Sequence, residues 1–94
     1  MSHFTGGSAA AMARQISEGF TLVNAVLLKR FTNPELDQLQ FEIERRLRDL
    51  RGEQVDLTDT LAIQGKNRRI SRLDGALRVL RMSRQTRMKG GRRS

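Results

Sequence analysis

The stretch DTLAIQGKNRRISRLDGALRVLRMSR, residues 59–84, decides the fold of this 94-residue chain. Under a helical period, Ile63, Ile70, Leu73, Leu77 and Leu80 recur at heptad-like spacing, with Lys66 as the one polar interruption. Under turn chemistry, TLAI and RRIS become two short strands around QGKN, and a helix starts only at Ser71. The helical reading is the stronger. Gly65 and Gly75 each cost a helix only about 1 kcal/mol, whereas a lone hairpin is marginal in water. The spacing therefore predicts one continuous helix from about Asp59 to Arg84.

Upstream, GEQVDLTD at 52–59 reads as a connection in which Thr58 or Asp59 can cap that helix. Before it, TNPEL at 32–36 is a helix start. Asn33 suits the N-cap, Pro34 the first helical position, and Glu35 and Asp37 bring negative charge to the positive end of the dipole. The helix that follows carries Leu36, Leu39, Ile43, Leu47 and Leu50 on one seam and reaches Gly52, a residue suited to a helix end. Glu42 and Glu44 stand four residues before Arg46 and Arg48, the spacing of intrahelical ion pairs.

Toward the N-terminus, Ser8 can cap a helix over 9–31, with Met12, Ile16, Phe20, Val23 and Leu27 on one face and Gly19 as its weak point. Residues 1–8 read as a flexible start. Residues 85–94, MSRQTRMKGGRRS without its first three, read as a basic disordered tail because of paired glycines and like charges. The fold class expected is all-α: an antiparallel helical hairpin or a three-helix bundle forming one domain over 9–84. The N-terminal helix is then its third member or a dimerisation arm.

Composition narrows the chemistry. There is no cysteine, so no disulfide framework, thiolate metal site or thiol nucleophile is available. His3 is the only histidine and sits in the flexible start with no orienting partner. Glu42 and Glu44, two apart on a helix, do not face each other as an acid–base pair. No cofactor, metal or enzymatic activity is expected. The apolar run Leu22–Leu28 is far shorter than the ~20 residues that cross a bilayer, so a soluble, intracellular protein is expected.

Charge supplies the functional signal. In residues 1–47 five basic side chains cancel five acids, while the remainder holds thirteen basic residues against five acids and carries the whole net charge of +8. Lys66, Arg68, Arg69, Arg72, Arg78, Arg81, Arg84, Arg87, Lys89, Arg92 and Arg93 are the candidate phosphate contacts. Arginine predominates, and its forked donors suit phosphate oxygens. On the predicted helix Arg68 and Arg72 lie opposite the seam of Ile70, Leu73, Leu77 and Leu80, with Arg78 on a flank. Arg81 and Arg84 fall nearer the seam, which suggests that the helix leaves the core before them. No aromatic follows Phe41 to stack single-stranded bases, so a duplex, RNA or DNA, is the favoured partner. The alternative is a helical interaction module, such as a regulator, adaptor or assembly subunit. Its heptad seams would pair with a partner helix or a second copy, and its charge would meet an acidic protein.

Overall fold

The computed structural model describes residues 4–91, with side chains as far as Met88. Its order is α1 (Ala9–Glu18), α2 (Ala25–Leu28), α3 (Asn33–Gly52) and α4 (Thr60–Gly91), with no strand among the described residues. QGKN is helical, as the heptad spacing predicted.

The N-terminal segment departs from the expected single helix over 9–31. Ser8 caps α1 as anticipated, its hydroxyl accepting from Ala11 N, but α1 stops at Gly19. That glycine adopts φ 86°, and the Gly19 and Phe20 amides donate back to Ile16 O and Gln15 O, the pattern of a left-handed helix end. A side chain there would also meet the Arg72 guanidinium, 3.0 Å from an ideal Cβ. Glycine is required twice over at this position. The break sends Phe20 into solvent, 82% exposed, while Val23 and the short α2 fold back along α4. Residues 4–8 are not simply a loose start: the Phe4 ring stands edge-on to Phe31 at 5.4 Å, and Gly7 N donates to Phe4 O.

α3 begins one residue earlier than its proline suggested. Thr32, not Asn33, is the N-cap, and it forms a reciprocal capping box with Glu35: Glu35 N donates to the Thr32 hydroxyl, and Thr32 N donates to the Glu35 carboxylate. Pro34 still sits in the first turn, where its missing N–H costs nothing. In the connection to α4 the Thr58 amide and hydroxyl donate to Asp56 and hold its carboxyl below the ordinary carboxylate range. Asp59 caps α4 by accepting from Ala62 N.

α4 runs antiparallel to α3, and side-chain pairs mark the register: Arg51 with Asp74, Glu44 with Arg81, Asp37 with Arg84 and Asn33 with Arg87. The leucines between these pairs close the core. Leu36, Leu39, Ile43, Leu47 and Leu50 of α3 meet Leu73, Leu77 and Leu80 of α4, with Ile70 packed at the edge. α1 adds Met12 and Ile16 as the third member of a bundle in which α1 contacts both long helices. The seam is therefore interior to one chain.

The expected tail needs correction. α4 does not end at Arg84 but continues to Gly91, so the helical domain extends seven residues further than the charge pattern suggested. Residues 92–94 lie outside the described residues.

Candidate functional site

The eleven basic residues singled out in the sequence divide into three groups. Lys66, Arg69, Arg72, Arg81, Arg84 and Arg87 are engaged within the chain. Lys66 donates to Glu53 O, Arg69 pairs with Glu18 at 3.3 Å, and Arg81 pairs with Glu44 at 3.2 Å. Arg72 was expected opposite the core, but it bends beside the end of α1 and donates to Ser17 O at 3.0 Å.

Arg84 and Arg87 correct the expectation that the helix leaves the core before Arg81 and Arg84. Both stay on the seam, one and two turns beyond Leu80, because α3 and the turn before it offer polar partners there. Arg84 pairs with Asp37 and donates to the Gln40 side-chain oxygen at 2.9 Å. Arg87 is the most heavily used. One of its amino groups donates to Phe31 O at 2.8 Å and Asn33 Oδ1 at 2.9 Å, and the other donates to Leu28 O at 3.2 Å. A planar fork of donors suits this cluster of oxygens, and it ties the end of α2 to α4.

The second group is Arg68 and Arg78, which are exposed and, among the described residues, make no ion pair or side-chain hydrogen bond. The third is Lys89, Arg92 and Arg93, whose side chains lie outside the described residues. The intrahelical pairs expected on α3 are also rearranged: Glu44 is taken by Arg81, and Glu42 lies 4.0 Å from Arg45 rather than against Arg46. Arg46 Nε is buried without a partner where α1 crosses α3.

The fold also recruits residues that the sequence pattern did not single out. The Arg87 contact to Leu28 O brings Lys29 and Arg30, exposed and unpaired among the described residues, beside the last turns of α4. That end of the molecule gathers Lys29, Arg30, Arg81, Arg84 and Arg87, with Arg78 toward the middle of α4, against Glu35, Asp37 and Glu44. The opposite end carries Asp49, Glu53, Asp56 and Asp59 around the α3–α4 connection, close to Arg48, Lys66 and Arg68. With a long axis of 56 Å, the molecule has a basic end and a nearly balanced one.

A second feature lies along the outer side of α4. The segment that follows Gly19 leaves Leu22 and Met82 largely exposed, at 84% and 63%, on two adjoining grooves of about 490 and 390 Å³ that share Val79, while Val26, 71% exposed, lines neither. Leu22 and Val26 fall outside the apolar face assigned to a 9–31 helix, and that misfit was the signal for them in the sequence. Among the described residues no group of three or more His, Asp or Glu side chains is placed to hold a metal, and no helix is long and apolar enough to cross a membrane. Comparison with protein-family models, curated proteins and solved structures finds no match for this chain.

Proposed function

We propose that this is a small, non-enzymatic, intracellular nucleic-acid-binding protein that grips the phosphates of duplex RNA or DNA with its basic end. The observation that carries the reading is the convergence of Lys29 and Arg30 with the C-terminal half of α4, through Arg87 and Leu28 O. Sequence adds Lys89, Arg92 and Arg93 directly after that half. Cations held on a rigid helical frame release condensed counterions on contact with a duplex and need no base-specific groove. Arg78, Lys29 and Arg30 are free of internal partners among the described residues, so a phosphate meets them without displacing a native ion pair.

The test is a duplex-binding titration at several salt concentrations. The triple variant Lys29→Ala/Arg30→Ala/Arg78→Ala is expected to flatten the salt slope by about two to three while leaving the circular dichroism spectrum intact. Arg68→Ala, at the balanced end, is expected to change the slope by less than one unit, about that of a single phosphate. A triple variant that binds as tightly as the wild type rules this reading out. A second reading, a helical interaction module with an acidic protein partner, rests on the apolar grooves around Val79, which adjoin Lys29 and Arg78.

A further inference from the structure

The two grooves beside α4 form one continuous trough. Its floor is Val79 with Ala76 and Leu28, and its apolar walls are Leu22 and Val23 on the first groove and Ala25 and Met82 on the second. Gly75 keeps the floor open, since a Cβ there would meet nothing within 4 Å. Four cations line it, Arg72 toward one end, Arg78 beside the shared Val79, and Lys29 and Arg87 toward the other end, and no acid lines either groove. From Arg72 to Arg87 the trough follows about 22 Å of helix, or roughly four turns.

From this geometry we infer that the trough docks an acidic amphipathic helix of a partner protein. This reading shares Lys29 and Arg78 with the proposed duplex surface but rests on the apolar floor between them, and it gives the interaction-module reading a partner class. An apolar floor offers nothing to a phosphate backbone, whereas leucine-type side chains spaced i, i+3, i+4 and i+7 on a helix of four turns fill such a trough. The rim cations select Asp and Glu on that helix, which meet Arg72 and Lys29 near its ends and Arg78 midway. A second copy of this chain does not fit, because two-fold pairing would set Arg78 and Lys29 of one copy against the same cations of the other. Arg72 and Arg87 are held by Ser17 O and by Leu28 O and Phe31 O, so the rim is preorganised rather than drawn in by the ligand.

The probe is a fluorescein-labelled helical peptide of about sixteen residues, with leucines at that spacing and glutamates near both ends, titrated into the full chain by anisotropy. Controls are the scrambled peptide and the same helix with lysine for glutamate. The acidic helix is expected to bind at least about tenfold more tightly than either control. Leu22→Asp and Met82→Asp, both at exposed positions, are each expected to weaken it about tenfold at unchanged melting temperature, and Arg78→Glu by a similar factor.

The inference is overturned if the scrambled or the lysine peptide binds equally well, or if Leu22→Asp and Met82→Asp leave affinity within about twofold. It is also overturned if phosphatidylglycerol vesicles, but not the acidic peptide, are bound in a way that Leu22→Asp and Met82→Asp abolish. Duplex affinity measured on Leu22→Asp and Met82→Asp stays at the wild-type level if the two surfaces are independent, so failure here leaves the basic-end reading standing.

Discussion

The middle and the end of α4 occupy the same stripe of the same helix, yet they are filled by opposite chemistry. Leu73, Leu77 and Leu80 press into the bundle and are almost fully buried. One and two turns on, Arg84 and Arg87 take the equivalent positions and stay docked on the seam. What changes is the partner. The leucines face Leu36, Leu39, Ile43 and Met12, whereas the arginines face Asp37, Gln40 and the carbonyls of Leu28 and Phe31 at and just beyond the end of α2. A seam position therefore asks for complementarity to what lies opposite, and a guanidinium satisfies it when oxygens are the opposing surface. Loss of a leucine removes transfer energy and leaves a cavity, while loss of an arginine leaves acceptors without donors.

The sharpest way to break the comparison is at its aliphatic end. Leu73→Ala, at a site with no solvent exposure, is expected to cost about 2–5 kcal/mol in a urea titration, enough to unfold much of a domain this small. A loss below about 1 kcal/mol would mean that the bundle closes around the gap and that the seam is less tightly packed than its burial indicates.

A smaller effect is expected at the polar end. Arg87→Ala removes the donor group shared by Leu28 O, Phe31 O and Asn33 Oδ1 and is expected to cost about 1–3 kcal/mol. Arg87→Lys should recover only part, because one ammonium cannot reach three acceptors along a fixed fork. Truncation after Arg84 should match Arg87→Ala, whereas truncation after Met88 should leave the melting temperature nearly unchanged. If both truncations are silent, the docked end of α4 contributes nothing to the fold and the comparison fails.

The least effect is expected from the exposed pair. Arg81→Ala breaks the contact with Glu44, in which both side chains are substantially exposed, and should shift stability by no more than about 0.2–1 kcal/mol, diminishing with added salt. Arg78→Ala, with no native partner among the described residues, should fall within about 0.5 kcal/mol of wild type. A larger loss at Arg78 than at Arg81 would reveal a structural contact for Arg78 and remove it from the candidate binding residues.

Much of this architecture was legible in the sequence, and the reasons are local. The heptad run through Ile63, Ile70, Leu73, Leu77 and Leu80 outweighed the turn-like QGKN, because single glycines cost a helix little beside a continuous buried face. The start of α3 was legible to within one residue from Asn33, Pro34, Glu35 and Asp37, although Thr32 is the N-cap. Gly19 was marked as the weak point of the first helix. Composition could not say whether the helix would run through it, since that depends on the gain from folding residues 20–28 back onto α4.

The candidate site was less legible. Charge counting found the basic half of the chain but could not tell Arg78, which has no partner among the described residues, from Arg81, which is paired, because both are arginines three residues apart on an exposed helix. Nor could it find Lys29 and Arg30, which belong to the neutral half and reach the basic end through the packing of α2 on α4 and the Arg87 contact.

By itself, then, the sequence determined the all-α class, the two long helices, their seams and the sign of the field around the C-terminal half. These follow from periodicity, capping and net charge, which are properties of neighbours in the chain. Only the tertiary structure decided which cations are spent on the fold and which face outward, that α4 stays docked beyond Arg84, and that Leu22, Val79 and Met82 line one trough. Those outcomes depend on which oxygens and which apolar atoms are brought opposite one another across tens of residues, and no local pattern encodes that pairing.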